Sequence, residues 1–82
     1  SEGRIVRFIV GLKDRPGSLK EILGLIGSHN ANILDVQVDR FYKKIGLGPV
    51  EVLISLETKS HDHTKEMFKI LKQKGFSIRT IE

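Results

Sequence analysis

The sequence predicts an α+β fold, a four-stranded antiparallel sheet with two helices on one face. Three observations carry that expectation. Apolar residues recur with period two over 4–12, 32–41, 49–58 and 76–81. They recur at helical spacing over 17–29 and again after Ser60. The two helical stretches fall after the first and third strands, so the order is β-α-β-β-α-β.

In "RIVRFIVGL", residues 4–12, Val6, Phe8, Val10 and Leu12 point one way and Ile5, Arg7, Ile9 and Gly11 the other. Both sets contain apolar residues, which suits a central strand. Over residues 17–29, Leu19, Ile22, Leu23 and Ile26 form one apolar stripe, introduced by Pro16 and Gly17. Asn30 suits the left-handed position after the last turn, and His29 near that end complements the helix dipole when protonated. In 32–41, Leu34, Val36 and Val38 are expected on one face and Asp35, Gln37 and Asp39 on the other. "YKKIGLGP" then reads as a hairpin loop. The third strand points Val50, Val52, Ile54 and Leu56 inward and Glu51, Ser55 and Glu57 outward. Ser60 is a good N-cap for the second helix and Asp62 suits its first turn, with Thr64, Met67, Phe68 and Leu71 as the apolar stripe. Gly75 ends it, and "FSIRTI" closes the chain with Phe76 and Ile78 inward. Helices that cross over right-handed onto one face make this the ferredoxin-like sandwich, a scaffold that does not by itself dictate function.

A chain of 82 residues with 39% hydrophobic and 29% charged residues reads as one small globular domain over 1–82, with a core that profits from a partner. The absence of cysteine excludes disulfides, thiolate zinc sites and cysteine nucleophiles, and agrees with a cytoplasmic location. No apolar run reaches the length of a membrane span. The net charge of +4 is spread over Lys13, Lys20, Lys43, Lys44 and Lys59 and the cluster Lys65, Lys69, Lys72 and Lys74. On a helix such lysines are the ordinary solvated face, so neither nucleic acid nor membrane is expected as a partner. The RNA-reading version of this fold needs aromatics on the open sheet face, where Arg7, Ile9, Leu53 and Ser55 stand. "HDH" at 61–63 places its histidines two apart, which on a helix do not share a face, so no metal is expected. No nucleophile and base are paired. Arg15 and Asn32 lack the glycine-rich surroundings that an acyl-phosphate hydrolase on this scaffold needs.

The loop "LKDRPGSL", residues 12–19, carries more chemistry than a turn requires. Pro16 and Gly17 leave the first helical amides without intrahelical partners, and these amides with the dipole attract a carboxylate. Asp14 beside them accepts hydrogen bonds from an ammonium group. The loop thus complements both ends of a free amino acid; equally, Asp14 caps the helix and Pro-Gly is only a turn. Asn32, which opens the second strand, both donates and accepts, and serves either a zwitterionic ligand or the backbone of "HNAN".

These segments resemble the ACT domain, a small ligand-sensing module of enzymes of amino-acid metabolism. The residues that carry the resemblance are "RFIVGLKDRPGSLKEILGLI" and "ANILDVQV". The stretch "DVQVDRFYKKIGLGPVEVLISLET", residues 35–58, is similar to the C-terminal ACT domain of threonine dehydratases of the biodegradative type. The resemblance implies a dimer that holds effector amino acids at its interface. Leu12, Lys13, Asp14, Arg15, Gly17, Ser18 and Leu19 of one copy would contact the ligand, with Asn32, Ile33 and Leu34 across the boundary. Serine-sensing relatives carry histidine at the position of Leu12 and asparagine at that of Asp14, so the resemblance favours isoleucine or valine here. It also implies a pyridoxal-phosphate catalytic domain elsewhere, with no cofactor and no catalysis in this domain. The expected function is allosteric control of a threonine or serine dehydratase. The alternative is a ligand-free assembly module joined through Ile5, Ile9, Leu53 and Ile81 on the outer sheet face.

Overall fold

A computed structural model of the chain describes residues 4–39 and 50–81. Its elements are β1 (Arg4–Leu12), α1 (Ser18–Ser28), β2 (Asn32–Asp39), β3 (Val50–Thr58), α2 (His61–Gln73) and β4 (Ser77–Thr80). The hairpin loop expected at 42–49, with Phe41, Lys43 and Lys44, lies outside the described residues. One antiparallel sheet runs in the order β2-β3-β1-β4, the layout expected from the sequence. The last strand is shorter than its pattern: Phe76 precedes it and is half-buried.

β1 and β3 pair along their whole length, from Arg4 opposite Thr58 to Leu12 opposite Val50. This register stacks the two inward sets. Phe8, Val10, Leu12, Val52, Ile54 and Leu56 form the floor of the core, and Ile22, Ile26, Met67 and Leu71 descend on it from the helices. Phe8 meets Phe68 edge-on at 5.3 Å between ring centroids, the arrangement aromatic quadrupoles favour. Two buried hydroxyls stand at the core margin. Thr58 and Thr64 lie 2.6 Å apart between their Oγ1 atoms, and both reach the Ser60 carbonyl, at 3.3 and 3.2 Å. One donates to the other, and the second donates to the carbonyl, so both are satisfied.

β2 departs from the sequence expectation. Ile33 pairs with Leu56 and Val36 with Ile54, with a register shift between Ile33 and Asp35. Leu34 is therefore the extra residue of a β-bulge. Ile33 joins Val36 and Val38 in the inward phase, and Leu34 is displaced from the core, 46% exposed. The reading that put Leu34 in line with Val36 and Val38 is corrected: a bulge shifts the period-two phase by one residue.

Both helices close on a left-handed residue. After α1 it is Asn30, φ +69°, with Ala31 N–H donating to the Ile26 carbonyl and Asn30 N–H to that of Gly27. After α2 it is Gly75, φ +96°, with Phe76 N–H on Leu71 and Gly75 N–H on Lys72. These are Schellman motifs. On the outer face Arg79 reaches Glu51 at 3.3 Å. The register puts side-chain-less Gly11 between their strands, opposite Glu51 and beside Ser77, which opens that path.

Candidate functional site

The candidate residues fall into two groups. The first is the turn after β1. Arg15 N–H donates to the Lys13 carbonyl at 2.9 Å, and Ser18 N–H to that of Arg15 at 3.3 Å. Gly17 then takes φ +93° and acts as the N-cap of α1, its carbonyl receiving Glu21 N–H at 3.0 Å. An L side chain is strained at that φ. The N-cap position is thus Gly17, three residues beyond Asp14. Lys13, Asp14, Arg15 and Gly17 are exposed, Ser18 is buried and Leu19 half-buried. Leu12 is 5% exposed, its side chain committed to the core, so only its backbone faces the turn. With the Ser18 amide used by Arg15, the amides of Leu19 and Lys20 are the first-turn donors that have no helical carbonyl four residues back.

The second group opens β2. Asn32 is exposed and its Nδ2 donates to Glu57 Oε1 at 3.5 Å, a long contact that a better acceptor displaces easily. Ile33 and the bulge residue Leu34 follow. This corner is anchored from behind by His63. Lys59 N–H donates to His63 Nδ1 at 2.9 Å, which leaves Nε2 protonated, and Nε2–H donates to the His29 carbonyl at 2.8 Å. His29 Nδ1–H in turn donates to the Leu25 carbonyl at 2.9 Å. Both ring nitrogens of His63 thus serve the fold, and among the described residues no cluster of three metal-ligating side chains exists. Sequence reasoning missed this pairing of α2 with the end of α1. Only the "HDH" motif drew notice, for a different chemistry.

The two groups stand at opposite ends of the sheet. Asn32 lies opposite Glu57, which lies opposite Ile5, whereas the turn follows Leu12. From Ile5 to Leu12, at ~3.3 Å per residue, the rows are about 23 Å apart. Within one chain Asp14 and Ser18 therefore do not reach the ligand that Asn32 would hold. Every described lysine is exposed, so none sits in the enclosed pocket that an imine-forming lysine needs.

The chain is thus a two-layer α+β domain whose candidate residues stand at the two ends of its sheet. The ACT domain model matches residues 6–76, and the chain belongs to the ACT domain family. It is 35% identical over 79 residues to an L-threonine ammonia-lyase of Thermotoga maritima, covering 96% of this chain and 20% of that protein. It is 34% identical over 80 residues to an L-threonine ammonia-lyase of Geobacter sulfurreducens, covering 98% and 20%. The chain thus spans about a fifth of the length of these curated relatives. Among solved structures, prephenate dehydratase from Streptococcus mutans superposes with a TM-score of 0.78 at 15% identity, covering 96% of this chain and 42% of that one. The ACT domain of GTP pyrophosphokinase of Chlorobium tepidum gives 0.72 at 15%, covering 96% and 99%. At such identities these two likenesses speak to the fold alone.

Proposed function

We propose that this domain senses a free amino acid and, through it, controls a threonine dehydratase. The observation that carries the reading is the split site. The first-turn amides and Asp14 occupy one end of the sheet and Asn32 the other, so a second copy related by a two-fold axis completes two equivalent sites. In each, the ligand carboxylate meets the amides of Leu19 and Lys20, its ammonium meets Asp14, and Asn32 of the other copy orients it from across the boundary. The exposed Leu34 beside Asn32 offers apolar surface to a branched side chain, which favours isoleucine or valine. The likeness to L-threonine ammonia-lyases supports the parent activity. Its pyridoxal-phosphate chemistry belongs to a separate catalytic domain, and this domain is non-catalytic. Binding that prefers one packing of the pair shifts the population of the attached enzyme, by about 1–3 kcal/mol in typical cases.

Calorimetric titration with isoleucine, valine, threonine and serine tests the proposal. Saturable binding of a branched amino acid is expected, and Asp14→Ala should weaken it about tenfold or more, the worth of one charge-assisted hydrogen bond. Silence from all four ligands contradicts a sensing role. Unchanged affinity in Asp14→Ala contradicts the ammonium assignment.

A further inference from the structure

β4 is one margin of the sheet, and among the described residues no strand pairs with its outer edge. Ile81 N–H donates to the Arg7 carbonyl at 3.0 Å, which makes Arg7 and Ile81 a hydrogen-bonded pair. Alternation then turns the backbone groups of Ser77 and Arg79 toward β1 and those of Ile78 and Thr80 outward. Proteins commonly blunt such an edge with lysine, proline or a bulge on the strand itself. β4 has none of these. Its register is regular, and its one charged residue, Arg79, is drawn to Glu51 on the outer sheet face.

Beside this edge runs a basic flank of α2, which lies on the β4 side of the sheet while α1 lies on the β2 side. Lys65, Lys69 and Lys72 are solvated, as the sequence leads one to expect, but they are not spread round the helix. At about 100° per residue they fall within about 60° of one another. His63, which reaches the end of α1, lies about 160° from Lys65 on the same count, so the row faces away from α1. The lysines line a shallow groove with Phe68 and Gln73, and the acids of this helix, Asp62 and Glu66, do not line it. None of the three lysines is in an ion pair among the described residues. Phe68, Phe76 and Ile78 pack on the core along the same margin, each only half-buried.

We infer that β4 accepts an extended acidic segment of a partner protein as a fifth, antiparallel strand, with carboxylates at alternate positions. The added backbone bonds to the N–H and C=O groups of Ile78 and Thr80. Its residues opposite these two point to the helix side, as Ile78 and Thr80 do, and cover the half-buried apolar margin. Lys65 and Lys72 are about 10 Å apart along α2. Alternate strand positions are about 6.8 Å apart, so two carboxylates fall within the lysine row. A basic segment is repelled by the same row. A nucleic-acid strand matches the charge but has no ladder of N–H and C=O groups for the edge. The surface is at the sheet margin opposite β2 and Asn32, so it does not depend on the amino-acid site.

Fluorescence anisotropy with a labelled peptide of about eight residues, glutamate alternating with threonine, tests the inference. Saturable binding is expected, with a dissociation constant of roughly 10–100 μM, weakened as salt is raised from about 0.05 to 0.5 M. Lys69→Glu should raise that constant about tenfold or more, with circular dichroism unchanged because the residue is exposed. Methylating the glutamate amides of the peptide should abolish binding, since these donate to the edge. In the complex, the amides of Ile78 and Thr80 should become protected from hydrogen exchange. Absence of binding overturns the inference, as does an affinity that Lys69→Glu or amide methylation leaves unchanged. Equal binding of a peptide with its glutamates in one block, or of an oligothymidylate, overturns it in favour of a general anion surface.

Discussion

His63 uses both ring nitrogens in tying the turn before α2 to the carbonyl of His29, the C-cap of α1. Removing it leaves the Lys59 N–H and the His29 carbonyl without that partner, and a part-buried hydrogen-bonding group so orphaned costs about 1–3 kcal/mol. We expect His63→Ala to lower the unfolding free energy by that amount in urea titration. A loss below about 0.5 kcal/mol, the size of an ordinary surface substitution, would show that the bridge is not formed in solution. Asn30 gives a second test. In its left-handed conformation Asn30→Ala should cost about 1 kcal/mol, whereas Asn30→Gly should be neutral or stabilising. Equal effects of the two, read from thermal midpoints, would mean that the chain does not turn left-handed there. The sequence disclosed Asn30 and the Ser60 cap, whose hydroxyl receives His63 N–H at 3.0 Å, because capping is local chemistry. It did not disclose His63 on His29 or Thr58 on Thr64. Those pairs arise from how separate elements pack, and no spacing rule encodes them.

Among the elements, β2 separates what periodicity reveals from what it hides. Ile33 and Leu34 are adjacent and both apolar, so alternation alone does not say which faces inward. The bulge gives Ile33 to the core and Leu34 to the surface. Ile33→Ser should therefore destabilise by about 2 kcal/mol or more, and Leu34→Ser by less than about 0.5. The reverse order would restore the unbulged strand that simple alternation suggests. The bulge also lets Asn32 and Leu34 both be exposed beside the proposed ligand, whereas the pairs on β1 and β3 keep strict alternation. Those two strands were legible from Val6 to Leu12 and from Val50 to Leu56, where every inward position carries an apolar residue and every pair is regular; the buried Thr58 at the end of that row was not.

For the molecule as a whole, the small core and the proposed division of the site point the same way. Stability of about 0.05–0.15 kcal/mol per residue leaves a chain of this length only some 4–12 kcal/mol. Phe8 is fully buried and stacked edge-on against Phe68, so Phe8→Ala, at about 3–5 kcal/mol, should remove much of it. A denaturation midpoint barely altered would mean that the core is not centred there. The order of the elements was legible, but the distance between the two halves of the site was not. Asp14 and Asn32 are 18 positions apart in sequence, and only the paired register shows that they sit at opposite ends of the sheet.

A mixing experiment tests that division. Asp14→Ala and Asn32→Ala should each weaken binding of the amino acid about tenfold or more when titrated alone, so that the original high-affinity sites are lost. In an equimolar mixture half the pairs contain one chain of each kind. One of the two sites in such a pair combines an intact Asp14 with an intact Asn32, so about a quarter of the original sites should return. Recovery near that fraction is the predicted result, and no recovery, with both variants folded and paired, would contradict a site built by two copies.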